Sequence, residues 1–284
     1  MRVLVTGAAG MVGHAVCEFC RTNGDTVVAY DHRGLDIANP GDVLQKLQEA
    51  KPDVVINCAA WTDVDGCEQD KERAFAANAR GPENLANASY EMNSAFVTIS
   101  TDYVFDGTKE GFYTELDQPN PQSVYGLSKL EGERLAQKAY PGTIVARSGF
   151  IFGPGGKNFL STIVERARRG EKIKAIIDAW GTPTYSRDLA VRLRELVQLN
   201  HPGIFHVANA GDGLSYEQFA RETVLMAGCI GVDVQGIRSD SLKRPAPRPR
   251  NSRLRSLNSE AVGLSPLPDW RSSLNEFVRD KNAC

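Results

Sequence analysis

The chain reads as an α/β protein: a doubly wound parallel sheet with a smaller C-terminal lobe. Four apolar runs (RVLVTG, TVVAYD, VVINCAA and AFVTIST) are short and rich in Val or other strand formers, as expected for strands buried on both faces. Between the first two, Met11, Val12, Ala15, Val16 and Phe19 recur at helical spacing. Helical sequence from about residue 64 to 92 follows the third run, with an interruption expected at Gly81-Pro82. Strand, helix, strand in repetition implies right-handed crossovers that cover both faces of the sheet.

After about residue 150 the pattern changes. GPGGKN is a loop, FLSTIVERARRG a helix and KIKAII a short strand. GTPTYSRDLAVRLREL opens a helix, and IFHVAN is a further strand. The chain closes with a helix carrying Trp270, Leu274, Phe277 and Val278 on one stripe. The expected division is a nucleotide-binding unit over 1–150, joined by part of 180–210 through strand exchange, and a mainly substrate-binding lobe over 151–284.

The bulk properties exclude several classes. Net charge is −2, with 42% hydrophobic and 24% charged residues among 284, so any basic site is local. No apolar run reaches the roughly 20 residues of a membrane span. MRVLVTG runs into a strand without the pattern of a leader, so a cytoplasmic protein is expected. Cys17 and Cys20 form a C-x-x-C, but they share an amphipathic helix with Val16 and Phe19 and read as core filling. Neither the other cysteines (Cys58, Cys67, Cys229, Cys284) nor the four histidines complete a zinc spacing, and no metal is expected.

Gly7, Gly10 and Gly13 give G-x-x-G-x-x-G where the first strand meets the first helix. Such a turn lets the backbone approach a pyrophosphate, and Met11 and Val12 place free N–H groups in the first helical turn. Asp31 ends the second strand, where an acidic residue accepts hydrogen bonds from the adenosine ribose. Arg33, two residues on, suits a 2′-phosphate, so NADH and NADPH both remain open. Asp36 and Ile37 are placed over the adenine. The fold is thus a Rossmann-type doubly wound sheet.

Tyr125 and Lys129 stand four apart in YGLSKLEGERLAQKAY, a sequence of good helix formers, and so share a helix face. Reducing a ketone needs a hydride to carbon and a proton to oxygen. A phenol carries that proton, and a neighbouring ammonium is expected to lower its pKa towards working pH. Ser100 or Thr101, at the end of the fourth strand, offers a hydroxyl to the carbonyl oxygen.

With these residues the chain resembles the extended branch of the short-chain dehydrogenase/reductase family. The resemblance implies a catalytic set of Thr101, Tyr125 and Lys129, the last two also touching the cofactor. It implies a cofactor path along Ala59, Ala60 and Trp61. Asn78, in NARGPENLANAS, matches a family helix pattern and equally an ordinary helix residue.

TDYVFDG narrows the branch. Sugar-nucleotide dehydratases usually follow Thr-Asp with glutamate, whereas Thr101-Asp102 is followed here by Tyr103. TDYVFDG, VYGLSKLEGE, VARSGFIFG, GTPTY, FHVANAG, RPRNSRL and LPDW together resemble the dTDP-4-dehydrorhamnose reductases. This implies NADPH- or NADH-dependent reduction at C4 of dTDP-4-dehydro-L-rhamnose, for cell-surface polysaccharide, with Thr101 and Asp102 against the sugar. Phe150 stands where relatives often carry tryptophan, removing an indole N–H from the sugar pocket. Some relatives are described with magnesium at a dimer interface, but no paired glutamates supply such a site here, leaving monomer or homodimer open.

Lys243, Arg244, Arg248, Arg250, Arg253 and Arg255 crowd one segment, and guanidinium groups suit a diphosphate. Arg244 and Arg253 are the expected contacts. The segment lacks interleaved aromatics, which argues against nucleic acid. Two alternatives stand beside this reading: another sugar-nucleotide reductase or epimerase, and a non-catalytic regulatory subunit like the β subunit of methionine adenosyltransferase, which resembles the TDYVFDG region.

Overall fold

The computed structural model describes residues 1–280. The first half runs β1 (Arg2–Thr6), α1 (Met11–Thr22), β2 (Thr26–Tyr30), α2 (Pro40–Ala50), β3 (Val54–Asn57), α3 (Val64–Gln69) and α4 (Lys71–Phe75). A π-helical turn (Ala76–Arg80) leads into α5 (Gly81–Glu91), β4 (Ala95–Thr101), a short turn (Asp102–Val104), α6 (Val124–Ala139) and β5 (Ile144–Ser148). The second half holds β6 (Ile151–Phe152), α7 (Phe159–Arg168), β7 (Ile173–Ile176), β8 (Trp180–Gly181), β9 (Thr184–Tyr185), α8 (Ser186–Leu199) and β10 (Gly203–His206). It continues with β11 (Leu214–Ser215), α9 (Tyr216–Met226), β12 (Val234–Ile237), α10 (Asn258–Ala261) and α11 (Trp270–Arg279).

Six strands form one parallel sheet in the order β2-β1-β3-β4-β5-β10. The alternating side chains of each strand feed two cores. Val3, Val5, Val54, Ile56 and Val97 pack with α1 and α8 on one face. Leu4, Val55 and Phe96 pack with α2 and α5 on the other. Helices cover both faces, which is why β1, β3 and β4 read as unbroken apolar runs; β2, expected to be buried like them, is the sheet's edge strand and is only half-buried. Cys17 and Cys20 lie in the first core as free thiols. The stripe on α11 joins Phe152, Tyr185 and Phe219 in a third core, and IFHVAN supplies the sixth strand of the main sheet.

The interruption expected at Gly81-Pro82 is corrected. The helical path breaks at Asp70 and loosens into the π turn over Ala76–Arg80, while Pro82 sits in the first turn of α5. The π turn ahead of it shifts the bonding by one residue, with the Gly81 N–H donating to the Ala76 carbonyl, so the helical path carries the proline without breaking.

The sheet's topology fixes where a ligand goes. β1 lies between β2 and β3, so the chain leaves its end towards α1 on one face and leaves β3 towards the other. The crevice at such a switch point, beyond the carboxyl ends of the strands, is where doubly wound sheets bind ligands.

Candidate active site

The glycine loop fills this crevice and leaves no room for side chains. Gly7 has φ +64°, and a Cβ there would meet the Ala59 nitrogen at 2.7 Å. A Cβ on Gly13 would overlap the Gly7 carbonyl oxygen, whereas one on Gly10 would meet that oxygen at 3.3 Å, a milder squeeze. No side chain caps α1, unlike α2, α3, α6 and α7, which Asn39, Asp63, Ser123 and Asn158 cap. The first-turn N–H groups of Met11, Val12 and Gly13 therefore face the loop. A glycine cradle against an uncapped helix start fits a dinucleotide pyrophosphate.

The adjoining cavity of about 670 Å3 is lined by Gly7, Gly10, Asp31, Asp36, Ile37, Ala59, Ala60 and Trp61. Asp31 accepts from the backbone N–H groups of Arg33 and Gly34, both at 3.0 Å, which hold its carboxyl below the usual range. Arg33 is exposed and off this wall, whereas His32 and Arg73 are on it. Met11 lies to one side, its sulfur 3.5 Å from the Asn158 amide. Asn78 is fully buried and holds the loop after β3 in place. Its Oδ1 accepts from the Trp61 N–H at 2.8 Å, and its amide donates to the Trp61 carbonyl and to Ser128 of α6.

Two glycines seat α6. Gly126 closes on the Tyr103 carbonyl and Gly132 on the Asn78 carbonyl, contacts that any Cβ would block. This brings Tyr125 and Lys129 to a cavity of about 310 Å3 that they share with Thr101, Asp102, Ser148, Phe150 and Val12. Cys58, Ala59 and Ala60 line both this cavity and the cofactor crevice, so the two adjoin. Of the two candidate hydroxyls, Ser100 donates to Glu133 at 2.5 Å within a buried pair with Arg147. Thr101 is the one beside the phenol.

The electrostatics differ from the expectation at Tyr125. Burial pushes the phenol above its ordinary value, eased only by the Thr101 hydroxyl. Lys129, buried and donating to the Ile99 carbonyl at 2.6 Å, does not outweigh that burial. Burial lowers Lys129 to about 8, against the opposing charge of Glu133. Burial raises Asp102 to about 6.

On the far side, Phe150 takes φ 47° and stacks on Tyr216 at 4.2 Å. Phe150, Tyr103 and Tyr216 form the wall shared with a third cavity of about 250 Å3, lined by Arg244, Arg248 and Arg250. Arg248 makes a forked pair with Asp65 of α3 at 2.7 and 2.8 Å, which holds Asp65 at about 2. Arg253 turns elsewhere: it donates to Asn251 at 2.8 Å and lies over Phe112 and Trp180. Tyr216 was not singled out in the sequence reading and lies in none of its motifs; Ser148 lay within VARSGFIFG and Arg248 within RPRNSRL, but neither was among the expected contacts. Among the described residues no group of acidic, cysteine or histidine side chains is arranged to hold a metal, and no helix is long and apolar enough to cross a membrane.

A dinucleotide cradle opening onto a half-buried tyrosine and a buried lysine, with a basic cavity beyond, defines a nicotinamide-dependent oxidoreductase of the extended short-chain type. Residues 1–283 match the RmlD substrate binding domain family, and the chain belongs to it. It is 39% identical over 280 residues to the dTDP-4-dehydrorhamnose reductase of Mycolicibacterium smegmatis, spanning 98% of this chain and 85% of that one. It is 37% identical to a probable dTDP-4,6-dihydroxy-2-methyloxan-3-one 4-ketoreductase of Streptomyces antibioticus, spanning 99% and 95%. The crystal structure of dTDP-4-dehydrorhamnose reductase from Bacillus anthracis in complex with NADP superposes with a TM-score of 0.93 at 32% identity, covering 97% of each chain.

Proposed function

We propose that this protein reduces the C4 ketone of dTDP-4-dehydro-L-rhamnose to give dTDP-L-rhamnose, using NADPH or NADH, in cell-surface polysaccharide synthesis. The observation that carries the reading is one continuous path: glycine cradle, Tyr125 cavity, arginine cavity, each sharing wall residues with the next.

Gly7, Gly10, Met11, Val12 and Gly13 hold the pyrophosphate, Asp31 and Arg33 the adenosine ribose, Asp36 and Ile37 the adenine. Ala59, Ala60 and Trp61 guide the cofactor to the cavity. When bound, the nicotinamide supplies the hydride to C4. Tyr125 donates its proton to the ketone oxygen as charge develops there, and the Thr101 hydroxyl, whose single proton rests on Asp102 Oδ1 at 3.1 Å, turns to donate a second hydrogen bond to the same oxygen. A desolvated phenol with a raised pKa stays protonated at working pH, as a reductase's acid must. Lys129, one helical turn on, supports the tyrosinate left behind. Asp102 and Phe150 contact the sugar, Arg244 faces the diphosphate, and Arg253 backs that cavity through Trp180. The polar groups cluster at the ends of β4 and β5, while Phe152, Phe159, Leu160 and Phe219 leave an apolar end suited to the sugar's methyl group. The protein works in the cytoplasm as a monomer or homodimer.

The test supplies the 4-keto sugar nucleotide and reduced cofactor and follows loss of the nicotinamide absorbance. Stoichiometric oxidation supports the reading. An epimerase would turn over sugar with no net cofactor consumed, and a regulatory subunit would do neither.

A further inference from the structure

Tyr125, Lys129 and Glu133 follow at four-residue steps along α6 and so share one stripe. Lys129 and Glu133 are one helical turn apart, about 5–6 Å between β-carbons. Tyr125 and Lys129 line the catalytic cavity, whereas Glu133 is buried a turn beyond them. Consecutive residues of β4 hold the two charges. The Ile99 carbonyl accepts from Lys129 Nζ at 2.6 Å, and the Ser100 hydroxyl donates to Glu133 Oε1 at 2.5 Å. Arg147 of β5 forks onto the same carboxylate, at 2.9 Å from Nε and 2.6 Å from a terminal nitrogen. The next residue of β4 is Thr101. A buried ion pair often fails to repay its desolvation, so this one calls for a reason beyond stability.

Lys129 supplies that reason. It has to be cationic when the tyrosinate forms, yet it is buried and its hydrogen bond goes to a neutral carbonyl. Glu133 is the strongest charge acting on the ammonium and opposes the burial that draws it down. The other titratable group facing the ammonium is the Cys58 thiol, beyond β3, which burial keeps neutral. Asp102 and Tyr103, after β4, and Cys67 of α3 act on Tyr125. Glu68 of α3 is engaged with the Val124 N–H at the start of α6. We infer that Glu133 is a positioning residue acting through Lys129: its negative charge, fixed by Ser100 and Arg147, keeps the ammonium cationic while Tyr125 gives up its proton. The inference rests on the proposed function, which gives Lys129 a tyrosinate to support.

The experiment follows kcat/KM for the 4-keto sugar nucleotide against pH in wild type, Glu133→Gln and the double variant Glu133→Gln/Arg147→Met. The double variant removes both buried charges, so it folds even where the single change leaves Arg147 stranded. The carbon-13 shift of the Lys129 ε-carbon in lysine-labelled protein, assigned by its loss in Lys129→Met, reads the ammonium without turnover. In wild type it should titrate at about 8. In both variants it should titrate about one to two pH units lower. At pH 8 that shift lowers kcat/KM by about five- to fifty-fold, and at pH 6 the part due to the shift shrinks to about two-fold or less. A loss equal at the two pH values overturns the inference, because a misplaced helix slows the reaction at every pH. So does a Lys129 midpoint in the double variant that matches wild type. Wild type whose Lys129 responds to Glu133 but which reduces no 4-keto sugar nucleotide overturns the functional reading and leaves the coupling standing.

Discussion

Replacing Asp102 by asparagine should make the protein more stable at neutral pH and no more stable in acid. The carboxyl sits in a cavity wall with one oxygen unpaired, and burial raises it from 3.8 to about 6. The folded protein holds that proton up to about pH 6, while the unfolded chain releases it near pH 4. Between those values the folded state binds more protons, so stability falls as pH rises through the interval. At 1.36 kcal/mol per pH unit, ionised Asp102 costs the fold about 3 kcal/mol at neutral pH. Asparagine escapes that cost but buries an amide that lacks a full set of partners, which returns about 1–2 kcal/mol. The change with pH isolates the ionisation. Between about pH 4 and pH 7.5, the stability of Asp102→Asn relative to wild type should rise by about 2.5 kcal/mol, the rest of the cost having already appeared below pH 4. Urea denaturation at both values measures it, with a relative midpoint shift of roughly 1 M. Asp65 and Asp106, both held at about 2, titrate alike in the two proteins and cancel. A difference that stays constant across the interval would refute the reasoning, because Asp102 would then be ionised without penalty. A confirmed penalty identifies a residue kept for its chemistry and not for the fold.

Tyr125→Phe should lower kcat by about a thousand-fold while leaving the cofactor Kd within a few-fold, measured by single-turnover kinetics and fluorescence titration. Gly13→Ala should abolish cofactor binding, since the added methyl enters the Gly7 carbonyl's space, and titration of the variant checks it. Glu133→Gln strips Arg147 of its buried partner and should cost about 3–5 kcal/mol in chemical denaturation. With Lys129 held at about 8, kcat/KM should fall as pH rises past that value, and Lys129→Met should remove that limb of the profile.

The sequence disclosed what is local. The strands ending at Thr6 and Thr101 read correctly because burial on both faces writes itself as an unbroken apolar run. Tyr125 and Lys129 were legible because four residues is one helical turn, and the glycine loop because a Cβ cannot be tolerated there. What was hidden depends on distant chain. Arg248 meets Asp65 across 183 positions, so nothing near Arg248 distinguished it from Arg253. Tyr216 reaches the cavity only because β8 and β11 pair and deliver the start of α9 beside Phe150. The acidity of Tyr125 was misjudged for the same reason. Neighbourhood in sequence suggested an ammonium's influence, while burial, a property of the whole fold, sets the direction. Gly81-Pro82 looked like a break because the π turn that accommodates it leaves no mark in composition.

The most direct test of a C4 ketone reduction follows the transferred hydrogen itself. Cofactor carrying deuterium at the reactive position of its nicotinamide is mixed with the protein and dTDP-4-dehydro-L-rhamnose, and the product is examined by proton NMR. One deuterium at C4 of the sugar, matched by one oxidised cofactor, is the outcome expected of Tyr125, Thr101 and Lys129 acting as described. Product formed with hydrogen from solvent at C4, or cofactor left reduced while sugar is consumed, would contradict it.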